Sequence, residues 1–169
     1  MVYEGNIIEG LPGDQGLPFF LSGSPNNLRL RYFVPNYASL VSINSISVSV
    51  DVYDDGDANN NEELDLVFVL NGIGLPNLAI GSHNSGLNGT DSLNRQTVLG
   101  AVNAGDLGDA LLEIQGDGVF FIRVNRNGGD FFVHSATVTI DGEAVPEPGT
   151  LGLCGVAGLL AAAAMRRRN

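Results

Sequence analysis

From Ile46 to Val52 apolar and polar residues alternate without a break, with Ile46, Val48, Val50 and Val52 in one set and Ser47, Ser49 and Asp51 in the other. A period of two puts the sets on opposite faces of a pleated strand. Four β-branched residues in phase therefore specify a strand with one buried face. The alternation predicts a strand over residues 40–53. Residues 131–141 repeat the pattern, with Val133, Ala136, Val138 and Ile140 as the inward set once a small irregularity near Ser135 is allowed. Continuous apolar runs at 64–70 and 119–124 predict more deeply buried strands, and shorter candidates lie at 28–33, 96–99 and 111–114.

Gly, Asn, Asp and Pro fill the breaks, as in Asn71 with Gly72 and Asn88 with Gly89. The sequence Asn127, Gly128, Gly129, Asp130 joins two strong strand candidates and predicts a hairpin. About seven short strands separated by such turns argue for an all-β fold, an antiparallel β-sandwich of jelly-roll-like type. Glycine numbers 23 in 169 residues, and each glycine inside a helix costs roughly 1 kcal/mol relative to alanine, so no long helix is expected before the C-terminal tail. One domain over 1–143 and a tail over 144–169 is the expected organisation. The segment 42–72 resembles the jelly-roll sandwiches found beside secreted proteases and in carbohydrate-binding modules, where a long alternating strand leads through an acidic loop into a Leu-rich one.

The formal net charge is -11, the chain has no lysine, and three of its eight basic residues are Arg166, Arg167 and Arg168 at the C-terminus. The remaining arginines, Arg29, Arg31, Arg95, Arg123 and Arg126, are scattered along the sequence and form no basic stripe, so nucleic acid is not an expected partner. Cys154 is the single cysteine, which excludes an intramolecular disulfide. His83 and His134 are the two histidines, and neither falls in a metal-binding spacing. His83 is expected in a loop near serines and Asp91, and no serine sits in a nucleophile-elbow pattern. No catalytic residue is assigned.

Residues 51–65 hold seven of the nineteen acidic residues. Calcium takes six to eight oxygens from carboxylates, amides and backbone, and this segment is dense in them. Asp55, Asp57 and Asn59 fall at alternate positions, as in the first half of an EF-hand loop; the pattern then departs, because Asn60 stands at the turn glycine and Leu66 at the bidentate glutamate. Two readings stay open. One is a solvated hairpin loop whose charges deter edge-to-edge aggregation. The other is a calcium site formed by Asp55, Asp57, Asn59 and Asn61, with Glu63 or Asp65 closing the shell. No other cofactor is expected.

The tail has three parts in order. Pro146 and Pro148 hold the backbone extended, residues 151–165 are small or apolar throughout, and Arg166, Arg167 and Arg168 follow. The apolar stretch is just short of the roughly 20 residues that span a bilayer, and arginines beyond it favour the cytoplasmic side. It is apolar all round, unlike a helix lying on a domain surface. This order, Val145, Pro146, Glu147 and Pro148, then an apolar helix, then an arginine cluster, resembles the PEP-CTERM sorting domain over 144–169.

The resemblance implies a Gram-negative bacterial exported protein with a single transmembrane-type helix in the inner membrane. It also implies an exosortase that recognises Pro146, Glu147 and Pro148, and delivery to the cell surface, a biofilm or an exopolysaccharide matrix. Members of that family carry a signal peptide. Residues 1–5 show neither a basic nor an apolar region of that kind, which is read as a trimmed or misplaced start. The expected function is a non-catalytic structural or adhesive sandwich, with a secreted hydrolase or carbohydrate-binding module as the alternative. Tyr or Phe lining an open sandwich face would favour glycan contact, although tryptophan, the usual sugar-stacking residue, is absent.

Overall fold

The computed structural model describes residues 2–5, 18–22, 26–56, 62–71, 74–84, 86–87, 93 and 95–145. Among them are strands β1 (Val2–Gly5), β2 (Phe19–Leu21), β3 (Asn27–Phe33), β4 (Leu40–Asp54), β5 (Glu63–Val69), β6 (Leu78–His83), β7 (Gln96–Ala101), β8 (Val119–Gly128) and β9 (Phe131–Ala144). One α-helix, α1 (Leu107–Asp117), lies between β7 and β8. The first sheet runs β1–β9–β4–β7, with β2 also paired to β9, and the second runs β3–β8–β5–β6. All pairings are antiparallel. From β2 to β9 the chain passes repeatedly between the sheets, and this eight-strand order is that of a jelly roll. The expected all-β antiparallel sandwich is the fold observed, but the hairpin expected at 127–130 is instead a crossing between the sheets, since β8 and β9 belong to different ones.

Alternation decides which side chains meet between the sheets. Ile46, Val48, Val50 and Val52 of β4 are all buried, as are Val133, Ala136, Val138 and Ile140 of β9. The irregularity anticipated near Ser135 is a bulge: Asp51 pairs with Ser135 and Val52 with Val133, which leaves His134 as the extra residue. Without it the phase of β9 would flip beyond that point and Val138 and Ile140 would face solvent. From the second sheet Leu30, Phe68, Phe120 and Ile122 close the core. The Phe120 ring stacks on Tyr32 at 5.3 Å and on Phe68 at 5.1 Å, and burial raises the Tyr32 hydroxyl well above its usual pKa.

The expected strand at 111–114 is instead part of α1. Leu107, Ala110, Leu111 and Ile114 recur at helical spacing, and that longer stripe outweighs the four-residue apolar run. α1 packs against β4 and β8 at one end of the sandwich, where Gln115 Nε2 donates to the Leu40 carbonyl at 2.7 Å. Gly118 ends it with φ 78, and a Cβ there would clash with the Tyr37 ring. β6 matched no expected strand because Gly81 and Ser82 interrupt its apolar residues. A Cβ at Gly81 would lie 2.6 Å from the Leu99 carbonyl, so the bare backbone is what lets β6 approach β7 where the two sheets meet. Among the described residues no helix is long and apolar enough to cross a membrane; the apolar run at 151–165 lies outside them.

Candidate functional site

β9 gives the molecule two distinct ends. Its 14 residues span about 45 Å as an extended strand. At its C-terminal end Val145 is exposed and donates its backbone N–H to the Ser39 carbonyl at 2.9 Å, so β9 ends beside the Tyr37–Ser39 turn that contacts α1. Pro146, Glu147, Pro148 and the arginines Arg166, Arg167 and Arg168 lie outside the described residues.

The opposite end carries a row of rings on the outer face of the first sheet. Phe20 of β2 pairs with Phe132 of β9, and Phe132 pairs with Tyr53 of β4. The ring centroids are 4.6 Å apart for Phe20 and Phe132 and 4.8 Å apart for Tyr53 and Phe132, the latter inclined at only 11°. Rings lying flat side by side would need wider spacing, so these stand on the sheet with their faces against one another. Phe20 keeps 38% of its surface exposed. Further along the same face Ser47, Ser49, Thr137 and Thr139 line a cleft of about 580 Å³.

The outer face of the second sheet gathers residues that looked scattered in the sequence. Arg29 lies directly opposite Arg123 across β3 and β8, and Arg31 follows two residues along. All three point outward because Leu28, Leu30, Ile122 and Val124 take the inward phase. The Arg29 guanidinium stands 4.3 Å from the centre of the Phe121 ring and donates to Asn71 Oδ1.

The acidic segment falls only in part among the described residues. Asp55 and Glu63 are exposed, and Asp65, half-buried on the outer face of β5, accepts a hydrogen bond from Asn127 Nδ2 at 2.7 Å. Asp57, Asn59 and Asn61 lie outside the described residues. Two carboxylates that the sequence reading passed over, Asp54 and Glu62, are buried instead. Asp54 continues the inward phase of Val48, Val50 and Val52, and Glu62 the phase of Leu64 and Leu66, so counting by twos identifies both. Among the described residues no group of three or more His, Cys, Asp or Glu is gathered as a metal centre.

His83 and His134 lie on different sheets. His83 ends β6 rather than lying in a loop, and its Nε2 is 2.7 Å from the Gly86 carbonyl. Gln96 Nε2 lies 3.4 Å from its ring nitrogens. His134 sits beside Tyr53, with ring centres 6.2 Å apart. The neighbouring Ser135 hydroxyl donates to Asp51 Oδ2 at 2.9 Å and Thr97 donates to Asp51 Oδ1 at 2.8 Å. A serine activated by histidine needs the imidazole between hydroxyl and carboxylate; here the hydroxyl goes straight to the carboxylate.

Residues 144–168 carry the PEP-CTERM protein-sorting motif. The motif implies an exported protein whose precursor is processed by an exosortase-type enzyme and sorted to the cell envelope. No curated protein matches the sequence. Among solved structures the chain is similar to "CBM35 from Cellvibrio japonicus Abf62", with 12% sequence identity over 86% of this chain and 99% of that one, and a TM-score of 0.45. At that score the likeness does not bear on what the chain binds.

Proposed function

We propose that this is a Gram-negative surface or extracellular-matrix protein whose sandwich is a non-catalytic adhesive module. On this reading residues 151–165 hold the precursor in the inner membrane with Arg166, Arg167 and Arg168 on the cytoplasmic side. Exosortase cleavage near Pro146, Glu147 and Pro148 then releases the sandwich to the cell surface or matrix. The observation that supports an adhesive role is the polarity of β9. β9 ends at Ala144, whereas Phe20, Phe132 and Tyr53 stand about 40 Å away at the other end. A domain attached at one end and apolar at the other presents its contact surface away from the anchor. Because the rings face one another, they suit an extended protein or matrix surface better than a single stacked sugar.

A second reading, glycan binding, is favoured by Arg29, Arg31 and Arg123 on one face, which together offer planar donors to an acidic exopolysaccharide.

Three experiments test these readings. In a producing cell the mature protein is expected to lack the arginine-containing C-terminus by mass; an intact one overturns processing. Cells displaying F20A/F132A, compared with wild type at matched surface abundance, are expected to lose aggregation or matrix attachment, and undiminished attachment overturns the adhesive role. An R29A/R123A variant that loses retention on acidic polysaccharide while F20A/F132A keeps it would select the glycan reading instead.

A further inference from the structure

Asp54 and Glu62 are enclosed at the end of the sandwich remote from the tail, 4% and 1% exposed. A buried carboxylate is costly unless its oxygens are satisfied. Glu62 Oε2 accepts the Leu87 N–H at 3.0 Å, and Asp54 receives the Gly56 N–H. Among the described residues, Glu62 Oε1 and Asp54 Oδ1 are buried with no hydrogen-bond partner. The two side chains repel each other, and the other charged group acting on Asp54 among the described residues is Asp55, also an acid. Arg126, the basic residue opposite Leu64 at this end, gives its Nη1 to the Gly129 carbonyl.

Two buried carboxylates that repel each other, each with an oxygen lacking a hydrogen-bond partner, can be relieved by a proton or by a cation. We infer that Asp54 and Glu62 are the anionic ligands of a calcium ion bound at this end of the sandwich. Two carboxylates cancel the charge of a divalent ion, which makes a buried site affordable, and the donors are oxygens, the atoms calcium prefers. Zinc would want imidazole or thiolate here, and the His83 ring nitrogen is already engaged with Gly86. Magnesium holds its waters in a strict octahedron and fits an enclosed site poorly. The ligand pair differs from the set suggested by the loop sequence and is independent of the adhesive reading. It joins the ends of β4 and β5, one strand from each sheet, so an ion there fastens the sheets together.

The full chain, held in mild detergent and stripped with a chelator, tests the site. Calorimetric titration with calcium chloride is expected to give saturable binding with a dissociation constant of about 0.1–1 mM, as in other extracellular calcium modules. Saturation is expected to raise the melting temperature by roughly 5–10 °C, and magnesium at the same concentration by far less. Asp54→Asn and Glu62→Gln keep the side-chain shape and remove the charge. Each is expected to abolish the calcium shift while melting, in chelator, no lower than the chelated wild type. Absence of calcium binding to the wild type overturns the inference. So does a full calcium shift retained in either variant, which would put the ion elsewhere in the acidic segment.

Discussion

The Tyr53 and Phe132 rings stack 4.8 Å apart across β4 and β9 on the outer face of the first sheet. Phe132 also touches Phe20 at 4.6 Å, so it is the middle ring of three. Each such pair contributes about 0.5–1.5 kcal/mol beyond its area. Phe132→Ala is expected to cost about 2–3 kcal/mol by urea denaturation, and Phe20→Ala, which breaks one contact on an edge strand, about half that. Equal costs for the two would contradict the arrangement.

In the core the middle ring is Phe120, 1% exposed between Tyr32 and Phe68. Phe120→Ala removes a ring that both sheets close over and is expected to lose about 3–5 kcal/mol. Phe33→Ala, at a side chain 51% exposed, is expected to lose far less. The two midpoints in one denaturant series decide the point.

Asp54 makes stability depend on pH. Burial first, then repulsion from Glu62 and Asp55, raises its carboxyl above the ordinary carboxylate range, against a lowering by the Gly56 N–H. A raised native pKa means that the folded chain keeps a proton which the unfolded chain releases at about pH 4. Its favourable share is therefore present below that pH and is lost as pH rises through the native value. In chelator, the wild type is expected to lose stability relative to Asp54→Asn between about pH 4 and neutrality. Parallel profiles for the two proteins would refute this.

Gly118 has φ 78 and abuts the Tyr37 ring. An alanine there combines left-handed strain, about 1–2 kcal/mol, with a clash at the end of α1. Gly118→Ala is expected to lower the melting temperature by at least about 4 °C, whereas Gly108→Ala, with open space around it inside the same helix, is expected to raise it slightly.

Much of the fold is legible because strand pattern is a local property. Ile46, Val48, Val50 and Val52 declare their own buried face, and Val133 followed by Ala136 breaks phase where the bulge occurs. α1 was hidden because a window of four residues, 111–114, cannot separate a strand from one turn of a longer apolar stripe. β6 was hidden because close contact with β7 selects Gly81, and a residue chosen for lacking a side chain leaves no pattern. The acidic segment drew attention to its most charged residues, although the enclosed pair, Asp54 and Glu62, were those in phase with the core.

Sequence alone determined the sorting tail, since a proline pair, an apolar run and terminal arginines act through linear order and need no folded partner. It also determined the sandwich class, because alternation records burial residue by residue. Tertiary structure decided what comes together across strands: Phe132 with Phe20 and Tyr53, Arg29 opposite Arg123, and Asp54 within electrostatic range of Glu62. Those partners lie from 8 to more than 100 positions apart in the chain, and only the antiparallel register of a closed sandwich brings them within contact or electrostatic range.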